Sequence, residues 1–145
     1  MIKCATILFA LVAVSLAVHE EFEVQFEWKY VNYTWPSEQE YEQAKLDKSY
    51  IEENNAIAGI KIWNDRMFIT MPRWKTGVPV TLASTSSKPV NPAPLLEPYP
   101  NWEMQKLGDC KAFQFVQSME IDPKGRMWVL DAGRTAIWTN EATHN

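Results

Sequence analysis

The chain has 145 residues, 46% apolar and 22% charged, with a net charge of -4. That length permits one ordinary domain and argues against two, and the apolar share together with only 5 glycines excludes collagen and wholesale disorder. The negative balance also argues against a nucleic-acid partner, because phosphate binding relies on clustered Lys and Arg displacing counterions.

Residues 1–17 read as a secretory signal: Lys3 is a short positive n-region, Cys4 to Leu16 an apolar run, and Ser15-Leu16-Ala17 a small-x-small cleavage site. The mature chain is expected to start near Val18 and to be extracellular. The run is shorter than the roughly 20 residues needed to cross a bilayer, and nothing later is long and apolar enough to do so.

Phe22 to Tyr30 alternates apolar and polar residues, which predicts a strand with one buried face. Asn32-Tyr33-Thr34 follows as an N-x-Thr sequon, an expected glycosylation site at Asn32 in a secreted chain. Ser37 and Glu40 have capping-box spacing, predicting one short helix to about Lys48 with acids early and lysines late, as the helix dipole favours. Ile57 to Trp63 and Met67 to Met71 flank Asn64-Asp65 as a hairpin. A further strand is expected from Val78 to Ala83, then a long Ser- and Pro-rich connector from Ser84 to Pro100. The alternation from Phe113 to Ile121, the Asp122-Pro123-Lys124-Gly125 turn and the run Arg126 to Asp131 give a second hairpin. Met127 to Leu130 is apolar throughout, as for a strand covered on both faces. Hairpins, many Trp residues and little helix predict an all-β sandwich, barrel or propeller.

Cys4 departs with the signal, leaving Cys110 either to pair with a cysteine outside this chain or to remain a free thiol. With only His19 and His144, no His/Cys zinc cluster can be assembled, and neither a metal nor a cofactor is expected.

Glu53 to Ile60, the block Asn64 to Leu82 containing Pro72-Arg73-Trp74-Lys75-Thr76-Gly77-Val78-Pro79, and Gly125 to Arg134 resemble signature blocks of the Yellow and major royal jelly protein family. The resemblance runs from about Phe22 to Arg134. It implies a secreted six-bladed β-propeller, of which residues 18–145 would supply about the first two blades, since a propeller repeat takes about 40 to 50 residues. The blades that follow are then missing partners, and the last strands here would present an uncovered apolar flank. Family members often carry a second Cys just before the Gly-Arg-Met/Leu-Trp strand; Lys124 stands there in this sequence, so that local disulfide is absent.

The resemblance further implies pigmentation, melanisation or development, with binding of or action on catecholamine-derived molecules. Its alternatives are a dopachrome-converting tautomerase and a carrier of biogenic amines, and enzyme status stays open. The candidate ligand residues are Arg73, Trp74, Lys75 and Asp131: the cations for an anionic quinone, the aromatic with a carboxylate for an ammonium, and Asp131, like Asp122, as a carboxylate that could move a proton in a tautomerase. Against these stand plainer roles. Arg73 and Lys75 could pair with Glu52 and Glu53 or lie on a solvated face, Trp74 and Trp128 could pack between sheets, and Asp122 and Asp131 could serve a turn and a cap.

Overall fold

The computed structural model describes residues 22–88 and 90–136, and the backbone of 143–144. The predicted signal at residues 1–17 and Trp138 lie outside the described residues.

Ser37 sits in extended backbone, and its side chain accepts a hydrogen bond from the Glu40 amide at 3.2 Å, opening helix α1 (Glu38–Leu46). Glu38 and Glu40 lie in the first turn and Lys45 in the last. The helix ends two residues earlier than expected because Lys48 adopts a left-handed φ of 62°, the conformation that terminates helices. Ala44 is the residue of α1 that goes fully into the core.

Asn64 takes a positive φ of 55° in the two-residue connection between β1 (Gly59–Trp63) and β2 (Arg66–Thr70), the geometry that suits the strand twist. Strands β3 (Leu82–Ser86) and β4 (Glu97–Pro98) extend this into an antiparallel sheet of order β1-β2-β3-β4. A second hairpin joins β5 (Val116–Ile121) to β6 (Met127–Asp131), with a bulge between Val116 and Ser118, and β7 (Arg134–Thr135) pairs with β8 (Thr143–His144). The class is all-β, as expected.

Strand β2 separates two apolar clusters because alternate residues point to opposite faces. Met67 and Ile69 join Val31, Tyr33, Tyr50, Val80 and Leu96, with α1 contributing Ala44. Phe68 faces the other way and meets Leu82, Val116 and Met119, tying the first sheet to the second hairpin. Strand β1 lies beside β5, where Lys61 and Glu120 pair at 2.7 Å. Thr81 Oγ1 accepts the Val116 amide at 2.8 Å, a second tie between the two sheets.

Four expectations are corrected. Phe22 to Tyr30 forms no strand: opposite it run Pro92 and Pro94, which have no N–H to donate, so only the Glu27 amide to Pro92 O and Trp28 Nε1 to Pro94 O bonds form, each 2.9 Å. The strand predicted at Val78 to Ala83 is displaced to Leu82–Ser86. Carbonyls and amides of residues 78–82 are instead occupied by the side chains of Arg73 and Gln105, while Ser84 and Thr85 are buried inside the sheet. The connector from Ser84 to Pro100 therefore contains β4 and the fully buried Leu96. Finally, Met127 to Leu130 is not covered on both faces. Met127 and Val129 pack inward, but Trp128 is 60% and Leu130 62% exposed.

Tyr33 and Tyr50 anchor the first cluster through their hydroxyls, which donate to Asn55 Oδ1 at 2.7 Å and to Val31 O at 2.6 Å. Burial raises the Tyr33 phenol well above its ordinary value, with Tyr50 adding and Arg73 opposing; burial, then the Glu52 charge, raises Tyr50. The folded state thus keeps protons that an unfolded chain releases near pH 10, so this stabilisation is complete below about pH 10 and lost as pH rises beyond it. Alkaline titration is expected to show part of the tyrosinate absorbance of the 5 tyrosines appearing only together with loss of near-UV circular dichroism. Complete tyrosine ionisation with the dichroism intact would contradict it.

Candidate functional site

Arg73 follows the apolar run that ends β2, and the chain carries it inward. It is 2% exposed, and its guanidinium meets backbone carbonyls from three segments. Nε donates to Val78 O at 2.8 Å, Nη1 to Phe113 O at 2.7 Å and Gln114 O at 2.8 Å, and Nη2 to Pro79 O at 2.7 Å and Gln105 O at 2.6 Å. All five N–H groups of the fork are thereby used. Burial lowers its pKa to about 10, partly offset by Tyr33 and Asp131, so the group stays cationic at neutral pH. It bonds to carbonyls rather than to Glu52 or Glu53.

Asp131 ends β6 and works on the same stretch from the other side. Its Oδ2 accepts the Gln114 amide at 2.8 Å, and its Oδ1 accepts the amides of Phe115 at 2.8 Å and Gly133 at 2.9 Å. Arg73 and Asp131, singled out separately in the sequence, are therefore brought together around residues 113–115, one holding carbonyls and the other amides. The capping role weighed for Asp131 is what this geometry shows.

Asp122 likewise serves its turn. It accepts from the Lys124 and Arg126 amides at 2.9 and 3.0 Å and from Arg126 Nε at 2.7 Å, and these bonds hold its carboxyl below the usual range. Asn54 and Asn55 reach further than local turns: Asn55 Nδ2 donates to both Ile51 O and Gly77 O, and Asn54 Nδ2 to Thr76 O. Cys110 is exposed and without a disulfide partner among the described residues.

A cavity of ≈ 490 Å³ opens beside this clamp. The end of α1 supplies Asp47, Lys48 and Ser49; the segment after β2 supplies Arg73 and Lys75 to Pro79; Gln105, Leu107, Thr135 and Ala136 complete it. Its aliphatic lining comes from Val78, Pro79, Leu107 and Ala136, and its charged lining is three cations, Lys48, Arg73 and Lys75, against the single carboxylate of Asp47. Lys48 and Lys75 are exposed, and neither ammonium makes an ion pair or hydrogen bond among the described residues. Trp74 is half-buried but does not line the cavity. Of the four sequence candidates, Arg73 and Lys75 line the cavity, with Asp131 acting through the 113–115 backbone.

Lys48 and Gln105 were missed. Lys48 reads as the tail of a helix, and only its left-handed backbone places it at the cavity. Gln105 sits in a short turn with no pattern of its own, yet it is 3% exposed. Its Oε1 accepts from the Thr81 and Leu82 amides, and its Nε2 donates to Tyr99 O. No group of three or more His, Cys, Asp or Glu is placed to hold a metal ion among the described residues.

Comparison with known proteins gives several relatives of one kind. Dopaminechrome tautomerase of Drosophila melanogaster is 33% identical over 122 residues, 82% of this chain and 26% of that protein. Protein yellow of Drosophila erecta is 33% identical over 132 residues, 90% of this chain and 24% of its own length. Major royal jelly protein 9 of Apis mellifera is 38% identical over 112 residues, 77% of this chain and 26% of its own. The chain belongs to the Yellow and major royal jelly protein family. The resemblance read from its Pro72 to Pro79 and Gly125 to Arg134 blocks is borne out. This Yellow-family chain spans about a quarter of the length of the curated relatives it matches. No protein-family model matches the sequence. No helix among the described residues is long and apolar enough to cross a membrane.

Proposed function

We propose that the chain is the opening arc of a secreted Yellow-type β-propeller with a role in pigmentation or melanisation, binding or acting on catecholamine-derived small molecules. The four-stranded sheet and the β5–β6 hairpin set beside it correspond to a first blade and the start of a second. The outward apolar side chains of Trp128 and Leu130 support a further sheet lying against that flank. The family membership supports the biology, as does the name of the relative that isomerises dopaminechrome.

The observation that carries the ligand reading is the cavity's charge. Its volume falls in the range of small-molecule sites, and a lining that combines aliphatic side chains with Lys48 and Lys75 suits a compact ring bearing an anionic group. An ammonium ligand would meet three like charges there. This favours the anionic catechol derivative of the tautomerase alternative over the amine of the carrier alternative at this site. A smaller pocket of ≈ 270 Å³ favours the carrier: Trp28, Tyr30, Glu52 and Glu53 are among its lining, aromatics together with carboxylates. Lys29 also lines it, with its ammonium 5.3 Å from the Tyr30 ring centre, and competes for that face.

Calorimetric titration of the full chain with 5-hydroxyindole-2-carboxylate and with serotonin separates the readings. Saturable heat with the carboxylate is expected, and Lys48→Glu with Lys75→Glu should weaken it at least tenfold. Binding of serotonin alone would replace this reading with the carrier, and absence of binding by either would remove both. Loss of dopachrome's visible colour faster than in buffer would establish the conversion activity for this chain.

A further inference from the structure

We infer that Asn32 carries an N-linked oligosaccharide on its Nδ2 atom, at the outer edge of the four-stranded sheet. The inference rests on the secreted reading above and adds a covalent modification site to it. Asn32-Tyr33-Thr34 is the one N-x-Ser/Thr sequon in the sequence. A sequon alone is common; what the structure adds is the disposition of the two ends of the Asn32 amide.

The oxygen end is held inward. Oδ1 accepts from the Tyr33 amide at 2.8 Å and from the Trp35 indole Nε1 at 2.9 Å, which fixes the orientation of the amide plane. The nitrogen end makes no hydrogen bond among the described residues. Asn32 is half-buried, yet among the described residues every buried side-chain nitrogen and oxygen has a partner, so the unbonded Nδ2 reaches solvent. The donor and acceptor roles are thus divided: the oxygen serves the fold and the nitrogen is available. Attachment preserves this, because a glycosylated amide keeps its carbonyl oxygen and both incoming hydrogen bonds.

The location is equally permissive. Residue 33 bridges Leu96 in parallel, the Asn32 carbonyl accepts the Leu96 amide at 2.9 Å, and the Thr34 amide donates to the Leu96 carbonyl at 2.9 Å. This segment therefore lies along the β4 side of the sheet, the edge remote from β1, which is the strand that neighbours β5. A bulky hydrophilic group there shields an edge strand from pairing with other chains and leaves the β5–β6 side unobstructed. Thr34 is exposed, and among the described residues only its backbone is engaged, its carbonyl accepting from Trp102 Nε1 at 3.1 Å.

The donor is a lipid diphosphate-linked oligosaccharide of the secretory pathway. The Asn32 nitrogen forms a bond to the anomeric carbon, the bond from that carbon to the phosphate oxygen breaks, and the amide gives up one proton. The lipid diphosphate departs with the bonding pair, and no oxidant or reductant takes part.

The test is intact mass of the secreted full chain from a eukaryotic host, before and after peptide-N-glycosidase in heavy-oxygen water. One version carries its own residues 1–17 and a second a proven secretion leader, which separates failure of secretion from failure of modification. The expected result is loss of one oligosaccharide on enzyme treatment with the heavy-oxygen label at position 32. Thr34→Ser retains the sugar. Thr34→Ala abolishes it while leaving the backbone and Asn32 bonds in place, so its circular dichroism matches the enzyme-treated protein. Secreted wild-type chain of the same mass as its unmodified polypeptide, from the proven leader, overturns the inference, as does a sugar that persists in Thr34→Ala.

Discussion

Arg73→Ala is expected to cost about 3–5 kcal/mol, a large fraction of the stability of an ordinary domain. The reason is the number of groups stranded at once. Carbonyls of Val78, Pro79, Gln105, Phe113 and Gln114 all lose their donor, and three of those segments have no strand ladder to fall back on. A buried acceptor without a partner costs about 1–3 kcal/mol, though water entering the vacated space satisfies some of them. Arg73→Lys should recover only part of the loss, since an ammonium has three donors against five and lacks the planar fork. Asp131→Ala is expected to cost less, and the double variant less than the sum, because both side chains clamp residues 113–115. Urea unfolding followed by Trp fluorescence measures these differences, and amide exchange at 113–115 reads the same clamp in any variant too unstable for a full curve. An Arg73→Ala variant within about 1 kcal/mol of wild type, or an Arg73→Lys variant equal to it, would refute the clamp.

The same residue shows where sequence reasoning stopped. Turn and cap signals are local, so the Ser37 cap, the Asn64 connection and the Asp122 turn could be read directly, and each hairpin followed from them. Pairing partners are not local. The Phe22 to Tyr30 alternation satisfied every property of a strand except one supplied from residues 92 to 94, a neighbour with amides to offer. The displacement of β3 has the same cause, because Arg73 and Gln105 occupy the backbone groups that a ladder would have used. In the site, the sequence marks Arg73 as a cation flanked by Trp74 and Lys75, which looks like a surface. The useful cue was position: Arg73 comes two residues after Met71, at the end of a run buried on both faces of β2. Lys48 could be recovered only from a backbone dihedral.

Gly77→Ala should cost about 3 kcal/mol, from two separable causes. The first is backbone: Gly77 has a φ of 76°, where an L side chain is strained by about 1–2 kcal/mol. The second is space, because a Cβ there would fall 2.5 Å from Ile51 Cγ1 and 2.6 Å from its Cβ, and overpacking costs about 1–3 kcal/mol. Retreat is blocked, since the Gly77 carbonyl accepts both the Ile51 amide at 2.9 Å and Asn55 Nδ2 at 3.0 Å. Gly108 provides the control: its φ is 81°, but a Cβ there meets nothing within 4 Å, so Gly108→Ala should show the backbone cost alone. Adding Ile51→Ala to Gly77→Ala removes Cγ1 and Cδ1 but leaves the Cβ contact at 2.6 Å, so it should relieve part of the steric cost and none of the backbone cost. Equal losses for Gly77→Ala and Gly108→Ala in urea unfolding would mean that Ile51 yields freely and the tight approach has no energetic weight. Because Gly77 lines the same cavity as Lys75, any relief by movement of residues 75–79 also displaces that ammonium. Carboxylate binding is therefore expected to fall in Gly77→Ala and to persist in Gly108→Ala, which places the ligand cavity and the strained loop in one mechanical unit.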